Sequence, residues 1–315
     1  MKQKSIRNIR QEFKDNGVFY TPPALAERLK QYVDIDISSV YDPTCGAGNL
    51  LSVFPDSIAK YGQELDAEQL ALIQLPNFTG YAGDTLMDDR FAGMKFDCIV
   101  ANPPFSVKWH PEALKEDIRF LNCPAMAPPS KADWAFMLHI LHHLSEEGVA
   151  VCLEFPGILY RGQREATIRQ WFIENNYIDR IVNIPGNTFE DTSISTCIVV
   201  LKKNRKTTDV MFEDGARIEA VPLKQIQKNG YVLSVSSYIW EETERELVNP
   251  LDLENTARIT FLAKLRKELE FDRQVCVMEN ISMQPFIREI KEIVKEYEEE
   301  NQNDKNIFER PNHGT

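Results

Sequence analysis

Short apolar runs alternate with amphipathic stretches along the chain as far as Lys203. An apolar run bounded by turn residues indicates a buried strand, whereas apolar residues at helical spacing indicate a helix that packs on one face. The predicted strands span residues 38–42, 60–64, 78–82, 96–101, 148–155, 178–184 and 195–201. The predicted helices span residues 22–32, 48–54, 66–74, 131–145 and 162–175. This alternation predicts an α/β fold with a mostly parallel sheet.

The last two predicted strands are joined only by residues 185–192. That connection is too short for a crossover helix, so the last strand of the seven should pair antiparallel. Beyond Lys203 the pattern weakens to a short β appendage near residues 211–223, and two helical stretches follow Leu251. The second stretch carries one apolar stripe, formed by Phe286, Ile290, Ile293, Val294 and Tyr297.

The turn Asn102-Pro103-Pro104-Phe105 ends the fourth predicted strand, where open α/β sheets bind their ligands. Two successive prolines fix φ and have no N–H, so the turn is stiff. It presents the Asn102 amide oxygen and a backbone carbonyl as converging acceptors for a planar NH2 group, and Phe105 can stack on the attached ring. The turn therefore predicts a site at which an amine becomes a nucleophile.

Three other strand ends predict a pocket beside this turn. The segment Asp42-Pro43-Thr44-Cys45-Gly46-Ala47-Gly48 leads through a glycine turn into a helix, and glycine lets a ligand approach the backbone closely. Glu64 is suited to ribose hydroxyls, and Asp84, in Gly83-Asp84-Thr85-Leu86, is suited to an exocyclic amino group. Taken singly, each residue is equally consistent with a turn, a helix cap or a solvated strand end. Their order along the alternation favours one common site.

Together these motifs resemble those of class I S-adenosylmethionine-dependent DNA adenine-N6 methyltransferases, and in particular the modification subunit of type I restriction–modification systems. The likeness rests on the Asn102–Phe105 turn, the Asp42–Gly48 loop and the aromatic segment Gly17–Pro23, and it covers about residues 16–203. It implies a Rossmann-like class I methyltransferase fold, S-adenosylmethionine as the cofactor and DNA as the substrate. Three later blocks are similar to the same family: residues 131–136, 155–162 and 189–194.

The resemblance also implies roles for individual residues. Catalysis is expected from Asn102, Pro103, Pro104 and Phe105. Cofactor binding is expected from residues of the aromatic segment and of three strand ends: Phe19, Tyr20, Thr21, Asp42, Pro43, Cys45, Gly46, Gly48, Asn49, Leu50, Glu64, Asp84, Thr85 and Leu86.

By this likeness the chain divides into five parts: an N-terminal segment (1–22), a methyltransferase catalytic domain (23–205), a small β appendage (206–250), C-terminal helices (251–300) and a disordered tail (301–315). Modification subunits normally begin with a sizeable helical domain, whereas few residues here precede the aromatic segment. A target-recognition domain also has no room. A separate specificity subunit is therefore expected to read the DNA, and the C-terminal helices are expected to meet it.

The composition is that of a cytoplasmic globular enzyme, since 43% of the 315 residues are hydrophobic and no apolar run is long enough to span a membrane. The formal net charge of −12 is awkward for a protein that binds a polyanion. The segment 107–130 is expected to form a substrate-facing flap. Candidate DNA contacts on this flap and after the fifth strand are Lys108, Trp109, Arg161 and Arg164. A solvated helix face, or structural anchoring for Trp109, is the alternative.

Other functions stay open at this point. His139 and His143 have the helical spacing of a metal pair, but no third ligand is evident, so no metal is predicted. Glutamine-N5 methyltransferases of release factors share the Asn-Pro-Pro-aromatic turn. A non-catalytic relative that binds a restriction complex, and methylation of cytosine N4, are further alternatives.

Overall fold

The computed structural model describes residues 21–186, 195–239, 250–278 and 282–295. The chain divides into two compact units, Met1–Glu241 and Glu242–Thr315. A nine-stranded sheet lies at the centre of the first unit. Its strands are β1 (Ser39–Asp42), β2 (Ala59–Glu64), β3 (Phe78–Ala82), β4 (Phe96–Ala101), β5 (Leu144–Glu154), β6 (Ile178–Ile184), β7 (Thr196–Lys202), β8 (Val210–Asp214) and β9 (Arg217–Val221).

The strands lie in the order β3-β2-β1-β4-β5-β7-β6-β8-β9. β7 runs antiparallel to both β5 and β6, and the strands from β3 to β5 run parallel to one another. The α/β fold, with its antiparallel last strand among the first seven, is thereby confirmed. The short β segment predicted beyond residue 206 is also present. It continues the main sheet, however, because β8 pairs in parallel with β6 and β9 pairs antiparallel with β8.

Six helices accompany the strands in the described part of this unit. They are α1 (Pro23–Lys30), α2 (Asn49–Ser52), α3 (Ala67–Leu70), α4 (Asp133–His143), α5 (Arg164–Glu174) and α6 (Leu223–Lys228). Short 3-10 turns span Pro111–Leu114, Pro156–Leu159 and Val235–Ser237. Each helix predicted from the sequence forms, within a few residues of its expected ends.

Alternate strand residues supply two hydrophobic cores, because successive side chains of a strand point to opposite faces. Tyr41 and Ile99 pack with α4 and α5 on one face of the sheet. Val40 and Val100 pack with α1 and α2 on the other. The central strands β1, β4 and β7 are thus buried on both faces, as their apolar runs predict, whereas β3 and β9 are largely exposed. The carboxyl ends of β1 to β4 meet at one edge.

The segment between β4 and α4 packs against the first core. Trp109, Leu114 and Phe120 are buried there. The Trp109 indole N–H donates to the Pro128 carbonyl at 3.0 Å. The flap expected from the sequence is therefore anchored along its length by its own side chains.

The second unit consists of the helix α7 (Pro250–Met278) and a further helix, α8, over residues 284–295. These are the two helical stretches predicted beyond Leu251. Phe286, Ile293 and Val294 of the predicted stripe are exposed. Tyr297 and the tail 301–315 lie outside the described residues. Within the described ranges, none of the helices combines the length and apolar character that a membrane crossing requires.

Candidate active site at the carboxyl ends of the strands

The loop after β1 forms a turn whose backbone is accessible. Asp42 ends the strand, and its Oδ1 accepts the Thr44 N–H at 2.9 Å. Gly46 and Gly48 have φ values of 51° and 85°, which favour glycine. A Cβ on Gly46 would meet nothing within 4 Å. The turn thus leaves open space on the side where the sequence predicts a ligand.

Glu64, at the end of β2, lies against this glycine turn. Its Oε2 accepts the Gly46 N–H at 2.7 Å, and its Oε1 accepts the Asp66 N–H at 3.0 Å. The carboxylate therefore connects two strand ends that the sequence separates. Each oxygen has a second lone pair with which it can accept a hydrogen bond from a ligand.

The turn after β3 adds the third predicted group. Asp84 is exposed, and its Oδ1 accepts the Leu86 N–H at 2.9 Å. The Thr85 hydroxyl donates to the Pro43 carbonyl at 2.5 Å, so Thr85 ties this turn to the loop after β1. The three predicted strand ends are thus connected by hydrogen bonds.

Some predicted cofactor residues contribute through packing. The side chains of Cys45, Leu50 and Leu86 are buried in the cores beneath the loops. These buried side chains fix the backbones of the loops and leave little side-chain surface for a ligand to contact. Phe19 and Tyr20 lie outside the described residues, so Thr21 is the predicted cofactor residue of the aromatic segment that the structure places.

Thr21 connects the catalytic turn to the glycine loop. The Asn102 Nδ2 donates to the Thr21 hydroxyl at 2.9 Å. The Asn49 Nδ2, in the first turn of α2, donates to the Thr21 carbonyl at 3.0 Å. Because the Asn102 nitrogen is directed at Thr21, the amide oxygen, which lies in the same carboxamide plane, points in a different direction.

The rest of the catalytic turn is buried at its first proline and partly accessible to solvent beyond it. Pro103 is buried, whereas Pro104 and Phe105 are partly exposed. The Phe105 ring lies 6.4 Å from the Phe155 ring, centroid to centroid, with an interplanar angle of 45°. Phe155 therefore supports one edge of a ring that also faces solvent.

Burial changes the acid–base properties of the loop after β1. Removal from water, together with the nearby Glu64 charge, raises the pKa of Asp42 to about 8, although the Thr44 hydrogen bonds oppose the rise. Burial also raises the pKa of the Cys45 thiol far above its usual value. Asp42 is thus largely protonated at neutral pH, and Cys45 is an unreactive thiol.

The four candidate DNA contacts fall into two groups. Lys108 and Arg164 are exposed near the catalytic turn. The Trp109 side chain is only 6% exposed, which favours the alternative that it anchors the segment. Arg161 is engaged with protein groups: it forms ion pairs with Asp133 and Glu165.

Arg119 is a site residue that the sequence did not reveal. Its guanidinium donates to the Thr85 carbonyl at 2.9 Å and to the Leu86 carbonyl at 2.6 Å, and it forms a salt bridge with Asp117 at 2.7 Å. These hydrogen bonds fix the backbone of the turn after β3. The segment that contains it has no periodicity and no motif, so no sequence signal pointed to this residue.

The structure also places a third potential metal ligand beside His139 and His143, which the sequence did not show. Asp89 lies with His139 and His143 so that their potential ligand atoms are all within 4.8 Å of one another. His143 bonds Asp89 at 3.0 Å and the Met94 carbonyl at 3.0 Å. Both ring nitrogens of His139 are also engaged, with Tyr41 and Arg119. The guanidinium beside His139 disfavours a second cation, so the cluster acts as a hydrogen-bonded core.

The chain was compared with known families and proteins. The family model described as "N-6 DNA Methylase" matches residues 6–220. A type I restriction enzyme MpnII methylase subunit of Mycoplasma pneumoniae is 31% identical over 297 residues, which cover 74% of this chain and 55% of the relative. The MjaIX methylase subunit of Methanocaldococcus jannaschii is 29% identical over 92% of this chain and 56% of the relative. The chain therefore spans about half the length of the curated relatives it matches.

Solved structures with the same fold were also found. A type I restriction–modification methyltransferase subunit from Streptococcus thermophilus is 29% identical with a TM-score of 0.63, over 70% of this chain and 59% of that one. A putative class I S-adenosylmethionine-dependent methyltransferase from Listeria monocytogenes is 17% identical with a TM-score of 0.53, over 72% and 76%. The second likeness concerns the fold alone, and it is the fold predicted from the sequence.

Proposed function

Because this chain belongs to the N-6 DNA methylase family, we propose that it transfers a methyl group from S-adenosylmethionine to the N6 amino group of adenine in DNA. We further propose that it acts as the modification subunit of a type I restriction–modification system. The names of its curated relatives, which are methylase subunits of type I restriction enzymes, support this second step.

The observation that carries the proposal is the pair of hydrogen bonds to Thr21. One comes from Asn102 in the catalytic turn and the other from Asn49 beside the glycine loop. A methyl transfer requires the acceptor amine and the methyl donor to be held in a fixed relation. Thr21 supplies that relation because it bonds to both sides of the site.

The residues at the strand ends fit a nucleoside cofactor. The Glu64 carboxylate, which already accepts two backbone N–H groups, can still accept from two ribose hydroxyls. Leu65 beside it is 73% exposed and offers an apolar surface to a base. Asp84 is exposed at the next strand end and suits an exocyclic amino group. S-Adenosylmethionine, when bound, supplies an electrophilic methyl group.

The catalytic turn prepares the target amine. The Asn102 oxygen and the Pro103 carbonyl accept its two hydrogens, which restores the lone pair of the nitrogen. Phe105 stacks on the adenine, and such stacking stabilises a base by about 1–3 kcal/mol. This offsets part of the few kcal/mol needed to take the base out of the duplex. No strong base is required, because the methylated nitrogen is cationic and releases its proton readily to water.

Sequence recognition is proposed to come from a separate specificity subunit. The formal net charge is −12, and the exposed cations at the site are few. Neutralisation of phosphates by Lys and Arg supplies most of the affinity of proteins for DNA. A partner that brings its own basic surface would therefore bring the duplex to this chain.

Transfer of labelled methyl from S-adenosylmethionine to unmethylated plasmid DNA tests the proposal, with Asn102→Ala as the matched variant. We expect label in 6-methyladenine with the natural chain and a loss of at least about 100-fold with the variant, while both chains still bind the cofactor. Label in N4-methylcytosine would identify the other amine substrate. Label that is unaffected by Asn102→Ala would contradict the role of the turn.

A further inference from the structure

We propose that Arg161 is a positioning residue that fixes the exit of the catalytic turn and the wall behind Phe105, and that it is not a DNA phosphate contact. Its effect on methyl transfer rests on the proposed function. Its effect on the turn does not, and the two are measured separately below.

The first observation is a direct bond from Arg161 to the turn. The Arg161 Nη2 donates to the Ser106 hydroxyl at 3.0 Å. Ser106 follows Phe105 immediately and has a φ of 54°. A residue with a side chain rarely adopts this left-handed conformation, and it persists only where the surroundings impose it. The bond from Arg161 is one such restraint.

The second observation is that two carboxylates hold the guanidinium in place. Arg161 Nη1 lies 3.4 Å from Asp133 Oδ1 and 3.2 Å from Glu165 Oε1. The side chain of Asp133 is fully buried and that of Glu165 is 7% exposed, whereas that of Arg161 is 15% exposed. Removing the partner of a buried carboxylate leaves an uncompensated charge. If Arg161 turned outward to a phosphate, the buried carboxylates of Asp133 and Glu165 would lose their partner, which is energetically unfavourable.

A third carboxyl lies in the same cluster but does not compete for the guanidinium. Glu154, the last residue of β5, is fully buried, and no hydrogen-bond partner contacts either of its carboxyl oxygens among the described residues. Burial, and then the charge of Asp133, raise its pKa well above the usual value for glutamate. The hydrogen bonds of Arg161 Nη1 go to Asp133 and Glu165, and none goes to Glu154.

The fourth observation concerns the aromatic wall. The Arg161 guanidinium lies 5.7 Å from the centre of the Phe155 ring, which is a cation–π distance. Phe155 in turn packs on Phe105. Arg161 therefore restrains the catalytic turn from two directions, through the Ser106 hydroxyl and through the ring that supports Phe105.

Gly157 provides the space for this arrangement. A Cβ on Gly157 would lie 2.5–2.7 Å from the Arg161 guanidinium. The backbone of Gly157 does not need positive φ, so the absence of a side chain serves the arginine. Gly157→Ala therefore displaces the guanidinium while it preserves the charge, which separates position from charge in an experiment.

Amide hydrogen exchange of the purified full chain tests the effect on the turn. We expect Arg161→Gln to speed exchange about tenfold in peptides that cover residues 102–109. Ser106→Ala should do the same without disturbing the ion pairs, so it tests the bond even if the first variant folds poorly. Arg164→Gln, at an exposed position three residues along, is the matched control and should leave these peptides unchanged. Unaltered exchange in both Arg161→Gln and Ser106→Ala would overturn the proposal.

Steady-state methylation of plasmid DNA tests the catalytic consequence. Arg161→Gln and Gly157→Ala should both lower kcat about tenfold or more with little change in the KM for DNA, and Arg161→Lys should not restore the rate because an ammonium cannot bridge three groups in a fixed plane. A raised KM for DNA with normal kcat, rescued by lysine, would show a phosphate contact. If the natural chain alone does not methylate, the kinetic comparison is made with the proposed specificity subunit present, and the exchange experiment decides the role of Arg161 independently of that activity.

Discussion

Thr21 is the residue on which the two halves of the site converge, since its hydroxyl accepts from Asn102 and its backbone carbonyl accepts from Asn49. We expect Thr21→Val to lower kcat for methyl transfer about tenfold. Valine keeps the shape but removes the hydroxyl acceptor, so the Asn102 carboxamide loses the hydrogen bond that orients it towards the target amine. Steady-state kinetics and calorimetric cofactor binding measure the two effects separately.

Thr167→Val is a suitable control, because Thr167 is exposed on α5 and its hydroxyl bonds only the Gln163 carbonyl at 3.4 Å. A parallel loss of cofactor affinity and kcat in Thr21→Val would contradict an orienting role. It would mean that the substitution disturbs the whole loop.

Asp42 makes cofactor binding sensitive to pH. Its pKa is raised to about 8 by burial and by Glu64, so the carboxyl is mostly neutral below that pH and ionised above it. S-Adenosylmethionine carries a net positive charge and favours the ionised form. We expect its affinity to rise as the pH increases from about 6 towards 8 and to level off above, by up to a factor of ten per pH unit.

S-Adenosylhomocysteine is the matched ligand for this measurement, because it has the same amino acid end but no sulfonium charge. Its affinity should change less over the same range, and Asp42→Asn should remove the difference between the two ligands. Equal pH profiles for both ligands in the natural chain would contradict this interpretation of Asp42.

The sequence predicts the place of a single residue when that place is set by the backbone, and it fails when the role depends on a partner elsewhere in the chain. Asp42, Glu64 and Asp84 lie at strand ends, and the parallel sheet brings those ends together. The roles of Trp109 and Arg161 depend on partners elsewhere in the chain, such as the Pro128 carbonyl and Asp133. Sequence spacing holds no information about such partners, so the sequence did not decide between a DNA contact and structural anchoring for Trp109.

At the scale of elements, the apolar runs located the central strands well because both faces of those strands are buried. β5 is the exception: it begins at Leu144, immediately after α4 ends, whereas the sequence places a helix to residue 145 and a strand from 148. The polar residues Ser145, Glu146 and Glu147 are typical of a turn. The structure instead pairs Leu144 with Phe96 before a register shift in β4, a tertiary effect that local composition does not predict.

The segment that joins β4 to α4 is irregular apart from the 3-10 turn Pro111–Leu114. Arg119 anchors it by hydrogen bonds to the turn after β3. We expect Arg119→Ala to lower the free energy of unfolding by about 3–5 kcal/mol. The guanidinium is buried, and its loss leaves Asp117 and the carbonyls of Thr85 and Leu86 without their donor. Urea unfolding followed by circular dichroism measures the change.

Arg90→Ala provides the comparison for this measurement. Arg90 and its partner Asp88 are each about half exposed, and an exposed ion pair contributes less than about 1 kcal/mol. Similar losses for the two variants would show that Arg119 is not the anchor of the segment.

At the scale of the whole molecule, the net charge predicts the DNA affinity of the isolated chain and its dependence on salt. The formal net charge is −12, and Lys108 and Arg164 are the candidate DNA contacts that are exposed. We expect weak binding whose logarithm falls with the logarithm of salt concentration with a slope near −2, about 0.9 for each phosphate neutralised. Fluorescence anisotropy of a labelled duplex over a potassium chloride series measures the slope. A value of about −6 or steeper would reveal a basic surface that these residues do not provide.

The Thr21 bridge has a consequence for how the two substrates influence each other. A residue that bonds both to the turn for the acceptor and to the loop for the donor is a point at which two binding equilibria are coupled. Thermodynamic linkage then requires reciprocity: the factor by which bound cofactor changes the affinity for DNA equals the factor by which bound DNA changes the affinity for cofactor. On the proposed function, the hydroxyl and carbonyl of this threonine would couple binding of the methyl donor to binding of the target base, and we expect Thr21→Val to bring that common factor towards one.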